Sequence, residues 1–325
     1  MRIRFDSKIL IWQMMGAEVV KTLRIKKIDA NESIKGGHFF NSSVFLSAKS
    51  FPVVGWQLIS KKPLTQIFFS IDNNVAVSGR AATFGSFDIH GEISSEELEW
   101  FIKEIIVELQ DLKVIEIEVR NYPSYFRYAD LVHACLEANH FKIRVSETDQ
   151  FIEIGKQSFY EVARKDEVTR SDRCVELGLE FKISGIEKLP DVFALVESTL
   201  SRNGHSPSMT FEELNKAIIT CPDNYILFTL WDKNILVAAV VSVVLSETVL
   251  YNFYHADHMD YRSHSALTYL IKHIYQYCQT NGFQILDLGI STENGVLNEG
   301  LFKFKQQRGA VPCTKSTYYL SLNTL

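Results

Sequence analysis

Cysteine is scarce in this sequence, and its positions exclude two kinds of stabilised fold. The chain has five cysteines, and none of them stands in a C-x-x-C pair. They are Cys135, Cys174, Cys221, Cys278 and Cys313. An odd, scattered set argues against a disulfide framework and against a cysteine-rich zinc site. We expect most of these residues to be small buried hydrophobic groups in a reducing compartment, which predicts a cytoplasmic protein.

Hydrophobic runs of membrane-spanning length are also lacking. The longest run, residues 235–245, is broken only by Ser242. Its β-branched residues predict a buried strand. Residues 1–16 hold a short apolar stretch that is interrupted by Gln13, and no small-residue cleavage site follows it. We therefore expect neither a membrane span nor a secretion signal.

The sequence has no block of lysine or arginine that would mark a tail for binding polyanions. The formal net charge is −5. The densest basic positions form one small group near each end, and they are Arg24, Lys26, Lys27, Lys303, Lys305 and Arg308. We expect most of these side chains to be solvated, with a small phosphate-holding patch as the alternative. No G-x-S-x-G elbow, Walker loop or dinucleotide fingerprint occurs.

Proline and glycine are few, at 7 and 16 of 325 residues, and no low-complexity stretch occurs. Because 46% of the residues are hydrophobic, the chain can bury a sizeable core and disorder is not expected. At ~100–200 residues per domain, this length predicts two domains.

One order of elements occurs twice: helix, strand, short helix, strand. The first helix-to-strand step reads EIIVELQDLKVIEIEV at 104–119, and the second reads HIYQYCQTNGFQILDL at 273–288. Identity between the copies is low, so the pattern indicates a repeat of architecture. The last elements of the first copy are predicted as two strands, at 141–145 and 151–154.

The segment between the copies predicts the remaining elements of a second α/β lobe. Residues 157–178 indicate one long helix with a polar face. After a strand at 179–183, two helices, three meandering strands, a helix, a strand, a helix and a strand are predicted. Thr210 and Glu213 form a capping box, as do Ser94 and Glu97 in the first half.

This order of elements resembles the GNAT fold, and several motifs narrow the resemblance to the Fem family. Asp287-Leu288-Gly289, a loop, and a segment from Gly300 to Gly309 containing Phe304-Lys305 resemble the D-x-G and F-K-x-x-x-G ending of that family. Tyr319-Leu320 resembles its closing strand. Near the start, residues 39–46 and 82–87 resemble its opening and first-lobe motifs. The resemblance covers nearly the whole chain.

The resemblance implies an α/β protein of two tandem GNAT-like lobes, each a mixed, mostly antiparallel sheet flanked by helices. The lobes are expected at 1–155 and 156–325. It further implies a transferase that moves an acyl or aminoacyl group to a small-molecule or glycan-linked amine, in cell-wall or surface-glycan metabolism. The alternative is a non-catalytic binding module that keeps the fold.

The same resemblance places the donor near the start of the helix predicted at 265–280. In GNAT proteins the loop [Q/R]-x-x-G-x-[G/A] holds the pyrophosphate of acyl-CoA at a helix N-terminus. Here the place is taken by Arg262, His264 and Ser265, and Ser265 and Leu267 depart from the pattern. These three residues, with Lys305 of the F-K motif, are the implied donor-binding set. Acyl-CoA and aminoacyl-tRNA are both open as donors, although the net charge argues against tRNA.

A polar cluster at 254–264 provides the candidate catalytic residues, which are Tyr254, His255 and Asp257. It lies between a strand and a helix start, where sites commonly occur. A histidine there could take the proton of an attacking amine. Strand alternation predicts that Tyr254 and His255 face opposite sides of the sheet. The alternative is a polar turn that caps the helix, and no metal site is expected.

Overall fold

The computed structural model describes residues 7–13 and 20–322. Most of the residues on which the secretion-signal expectation rests, 1–6 and 14–16, lie outside that part. The chain divides into two compact units, which are residues 1–147 with 314–325, and residues 148–313. The expected division at residue 155 stays a prediction.

Sixteen strands are formed by the described residues: β1 Ser7–Gln13, β2 Val20–Ile28, β3 Val54–Ile59, β4 Pro63–Asp72, β5 Val75–Ser78, β6 Asp88–Ile89, β7 Glu116–Arg120, β8 Lys142–Glu153, β9 Glu180–Ser184, β10 Tyr225–Asp232, β11 Ile235–Ser246, β12 Val249–Asp257, β13 Ile285–Ile290, β14 Thr292–Glu293, β15 Val296–Leu297 and β16 Val311–Ser321. The α-helices of the same residues are α1 Ser43–Ser47, α2 Ser95–Asp111, α3 Ala129–Ala138, α4 Phe159–Val162, α5 Lys165–Ser171, α6 Arg173–Glu176, α7 Leu189–Ser201, α8 Phe211–Thr220, α9 Ala266–Asn281 and α10 Glu299–Gln306. The doubled order is therefore present as α2-β7-α3-β8 and α9-β13-α10-β16.

The first unit is built on a sheet with the strand order β1-β2-β3-β4-β5-β7-β16. Neighbouring strands are antiparallel, except that β5 and β7 are parallel. The capping box of Ser94 and Glu97 starts α2 as predicted, and the apolar stripe of this helix is buried. The turn between β4 and β5 uses Asn73 and Asn74 at positive φ, which asparagine tolerates better than most residues. Large aromatic side chains fill the core, among them Trp56, Phe68, Phe84 and Phe101.

The second unit is built on a sheet with the order β8-β13-β12-β11-β10-β9, to which β8 contributes its residues from 148 onward. The strands β12 and β13 are parallel, and the other neighbours are antiparallel. Alternate residues of β11 belong to two different cores. Ala238 and Val240 pack with α9, whereas Ala239 and Val241 pack with α7 and α8. The helices thus cover both faces of this sheet, and the fold-class prediction is confirmed.

Two predicted elements were wrong in detail. The predicted long helix at 157–178 is three short helices, α4, α5 and α6. The chain is extended at Ala163 and Arg164, where the Arg164 N–H donates to the Gln307 carbonyl at 2.8 Å. The strands predicted at 141–145 and 151–154 are one continuous strand, β8. The polar residues between the two predicted strands do not interrupt it.

Candidate active site

The parallel strands β12 and β13 pair over only a short length. Their register covers Val249 with Ile285, Leu250 with Leu286 and Tyr251 with Asp287. Beyond Tyr251, β12 continues to Asp257 and stays paired with β11 on its other side. The backbone edge of residues 252–257 that faces away from β11 is therefore not paired with β13. We call this place the β12–β13 opening.

The sequence Asp287-Leu288-Gly289 explains why β13 diverges. The Gly289 N–H donates to Oδ1 of Asp287 at 2.6 Å. Gly289 has a φ of +78°, a conformation that glycine adopts without strain. The register of β13 with β8 also shifts between Asp287 and Ile290. The D-x-G motif thus turns the end of β13 and creates the opening.

His255 lies on β12 at this opening. Its Nε2 atom is buried and has no hydrogen-bond partner in the described structure. Burial, together with the nearby positive charges of Lys305 and Arg308, lowers the pKa of His255 to about 3. The imidazole is therefore neutral at pH 7, and in the tautomer that carries its proton on Nδ1 the Nε2 atom is free to accept a hydrogen bond.

Lys305 on α10 is buried, with 2% of its surface exposed. Its Nζ donates to the carbonyls of Gly289 at 2.7 Å and Ile290 at 2.6 Å. Burial lowers the pKa of Lys305 to about 8, although Asp149 and Asp287 act in the opposite direction. The lysine thus fixes the turned end of β13 and keeps a positive charge near His255.

Tyr254 faces the other side of the sheet, in the core beside α7 and α8. Its hydroxyl accepts a hydrogen bond from the Met209 N–H at 3.0 Å and shares another with Ser208 at 2.9 Å. These contacts tie the segment before α8 to β12. The structure therefore separates Tyr254 from His255, and the catalytic role of either stays a prediction.

Asp257, at the end of β12, is paired with two arginines. Its Oδ1 contacts Nη2 of Arg202 at 2.5 Å, and its Oδ2 contacts Nε of Arg262 at 3.1 Å. Arg262 is exposed. Both carboxylate oxygens are engaged by guanidinium groups, so this arrangement fits positioning of the loop better than proton transfer.

Comparison with known proteins supports the resemblance drawn from the motifs. Residues 162–305 match the family model described as an acetyltransferase (GNAT) domain. The fold is similar to the crystal structure of FemX, with a TM-score of 0.69 and 10% identity over 92% of this chain and 98% of that chain. The chain has a Fem-type GNAT fold.

Other solved structures share this Fem-type GNAT fold. L-PGS from Bacillus licheniformis has a TM-score of 0.59 and 12% identity over 87% of each chain. A tandem GNAT protein from the clavulanic acid biosynthesis pathway has a TM-score of 0.53 and 10% identity over 92% of this chain and 98% of that chain. No curated protein gives a significant match. At these identities the likeness establishes the fold alone.

In a GNAT fold the phosphates of an acyl-CoA donor would meet the N-terminus of α9. Ser265 precedes this helix with a φ of +53°, the left-handed conformation that glycine adopts most readily. Its hydroxyl, however, donates to the carboxylate of Glu167 at 3.4 Å. His264 has a buried Nδ1 atom without a partner in the described structure. With a carboxylate already present, this helix end does not fit a pyrophosphate.

The structure also brings together residues that the sequence analysis missed or undervalued. Arg308 is buried beside α9, and its Nη2 atom donates to Thr268 Oγ1 at 2.6 Å. In the first unit, Asp88 lies 3.1 Å from His90 and 3.7 Å from His38, and Gln66 donates to it at 3.2 Å. Arg308 stands inside the F-K-x-x-x-G motif, which was a usable signal. The cluster around Asp88 had no local signature.

Neither a metal-binding cluster nor a membrane span is found in the described residues. Across the part of the chain that the structure describes, no three His, Cys, Asp or Glu side chains are arranged to hold a metal ion. Among those same residues, no helix is both long and apolar enough to cross a bilayer.

Proposed function

We propose that the protein transfers an acyl or aminoacyl group to an amine at the β12–β13 opening. The observation that carries this proposal is the neutral, unpartnered Nε2 atom of His255 on the strand edge that opens away from β13. A buried acceptor without a partner is rare in folded proteins and needs an explanation. An N–H group of the acceptor amine would satisfy it.

The chemistry needs orientation more than a strong base. The amine nitrogen attacks the donor's thioester or ester carbonyl, a C–N bond forms, and the C–S or C–O bond breaks. The amine proton leaves with the sulfur or oxygen of the leaving group. Because the pKa of His255 is lowered to about 3, we propose that it orients the amine by accepting a hydrogen bond. The positive charges of Lys305 and Arg308, which act on His255, would also favour an oxyanion that develops beside it.

The same geometry supports the proposed acceptor class. A neutral imidazole suits an uncharged primary amine, such as one carried by a small molecule or a glycan. The description of the matched family model, an acetyltransferase (GNAT) domain, supports group transfer. A role in cell-wall or surface-glycan metabolism is part of this proposal.

A binding module without turnover is the second candidate. It is favoured by the carboxylate of Glu167 at the α9 N-terminus, because a donor anchored there would meet a like charge. Such a module would still bind an amine at His255 but would release no product.

Transfer is tested by incubating the protein with a panel of donors and amines and searching for new amides by mass spectrometry. The donors are acetyl-CoA, longer acyl-CoAs and aminoacyl-tRNAs, and the amines include amino acids, amino sugars and lysine peptides. We expect at least one amide that does not form without the protein. Amines that raise the melting temperature but give no product with any donor would favour the binding module.

A further inference from the structure

A negative group of the chain itself lies beside the N-terminus of α9. Free N–H groups and the helix dipole make the first turn of a helix attractive to anions. The Glu167 carboxylate approaches this end through Ser265, whose hydroxyl donates to it at 3.4 Å. Glu167 is buried, with 7% of its surface exposed, so this carboxylate is largely removed from water.

A buried cation completes the arrangement. Arg308 is 4% exposed, and its Nη2 atom lies 2.6 Å from Thr268 Oγ1 and 3.7 Å from Glu167 Oε2. Its Nε atom has no hydrogen-bond partner in the described residues. Arg170, on the same helix as Glu167, approaches the carboxylate to 3.3 Å from the exposed side. A helix end, two hydroxyls and a buried guanidinium group together form an anion site.

We propose that Glu167 is a built-in anion that occupies this site and closes the α9 N-terminus to the phosphate groups of a donor. A pyrophosphate placed there would bring further negative charge against a buried carboxylate, and such repulsion is weakly screened away from water. Replacing the carboxylate by a neutral group of the same shape leaves Arg308 and the helix end without their anion. The site then accepts inorganic pyrophosphate or the phosphates of CoA.

The anion site exists whether or not an amine is acylated. A failed transfer assay therefore leaves it standing. The competing interpretation, a salt bridge that only stabilises the fold, is an outcome of the test.

The experiment measures melting temperature with and without millimolar pyrophosphate, and separately with CoA, in buffer free of divalent ions. Glu167→Gln is the test variant. Asp166→Asn is the matched control, because Asp166 sits on the same helix and pairs with the exposed Arg164. We expect both ligands to raise the midpoint of Glu167→Gln by about 3 °C, and to leave the wild type and Asp166→Asn unchanged.

A double variant, Glu167→Gln with Arg308→Gln, removes both charges and guards against a single variant that fails to fold. It should fold and show no response to pyrophosphate. An equal response of the wild type and Glu167→Gln would overturn the proposal, because the carboxylate would then not close the site. If Glu167→Gln folds and neither ligand raises its melting temperature, the proposal is also overturned. The contact is then only a salt bridge that stabilises the fold.

Discussion

Replacing Lys305 by methionine should lower the free energy of unfolding at pH 7 by about 3 kcal/mol, because leaving two buried carboxylates and two carbonyls without the lysine costs more than the burial of its charge. The ammonium donates to the carbonyls of Gly289 and Ile290, and it lies near the buried carboxylates of Asp149 and Asp287. Methionine has a similar length but cannot donate to these oxygens. Chemical denaturation at pH 7 measures the loss.

The same variant should also change how stability depends on pH. Since the pKa of Lys305 is lowered to about 8 from 10.5, the folded protein releases this proton before the unfolded chain does. The energetic cost of burying the charge is fully present below pH 8 and disappears as the pH rises toward 10.5. Stability of the wild type should gain up to about 1.4 kcal/mol per pH unit from this group in that window, and Lys305→Met should lack the gain.

Lys303→Met is the matched control, because Lys303 lies on the same helix and is exposed. It should change the unfolding free energy by less than about 0.5 kcal/mol. Equal stability of the two variants would contradict the positioning role assigned to Lys305.

Gly309→Ala should destabilise the protein by about 3 kcal/mol, through backbone strain and overlap. Gly309 has a φ of +86°, and a Cβ atom there would lie 2.7 Å from the Val162 carbonyl oxygen and 3.0 Å from its carbon. These are backbone atoms, so they cannot move aside as the end of a flexible side chain could. The measurement is again the unfolding free energy from denaturant titration.

Gly282→Ala separates the cost of the left-handed backbone conformation from the cost of atomic overlap. Gly282 ends α9 with a φ of +80°, and a Cβ atom added there would meet no other atom within 4 Å. Its substitution should therefore cost only the left-handed conformation, about 1 kcal/mol. If both variants lost the same stability, the close approach of Val162 would not explain the glycine of the F-K-x-x-x-G motif.

Local chemistry made much of the fold predictable from the sequence. The capping boxes at Ser94 and Thr210 started α2 and α8 as expected. Each of these signals depends only on residues a few positions apart in the sequence. The prediction for segment 157–178 was wrong because its breaks depend on a distant contact, the hydrogen bond from the Arg164 N–H to Gln307.

The candidate site was predictable only in part, because some of its contacts also join residues that lie far apart in the sequence. His255 and Lys305 stand in segments with a readable pattern, and strand alternation correctly separated Tyr254 from His255. Glu167 could not be found in this way, since it meets Ser265 from 98 positions away in the chain. The lowered pKa of His255 also depends on burial and on charges from α10 and the residues that follow it, which no local pattern reports.

The most direct test of the central claim compares two variants on opposite faces of β12, using the donor and amine that react in the transfer assay. His255→Gln should reduce kcat by about 100-fold, the scale typical of an orienting group in an active site. Tyr254→Phe should keep kcat within about threefold, because its hydroxyl contacts Ser208 and Met209. The reverse order, with Tyr254→Phe inactive and His255→Gln active, would contradict transfer at the β12–β13 opening.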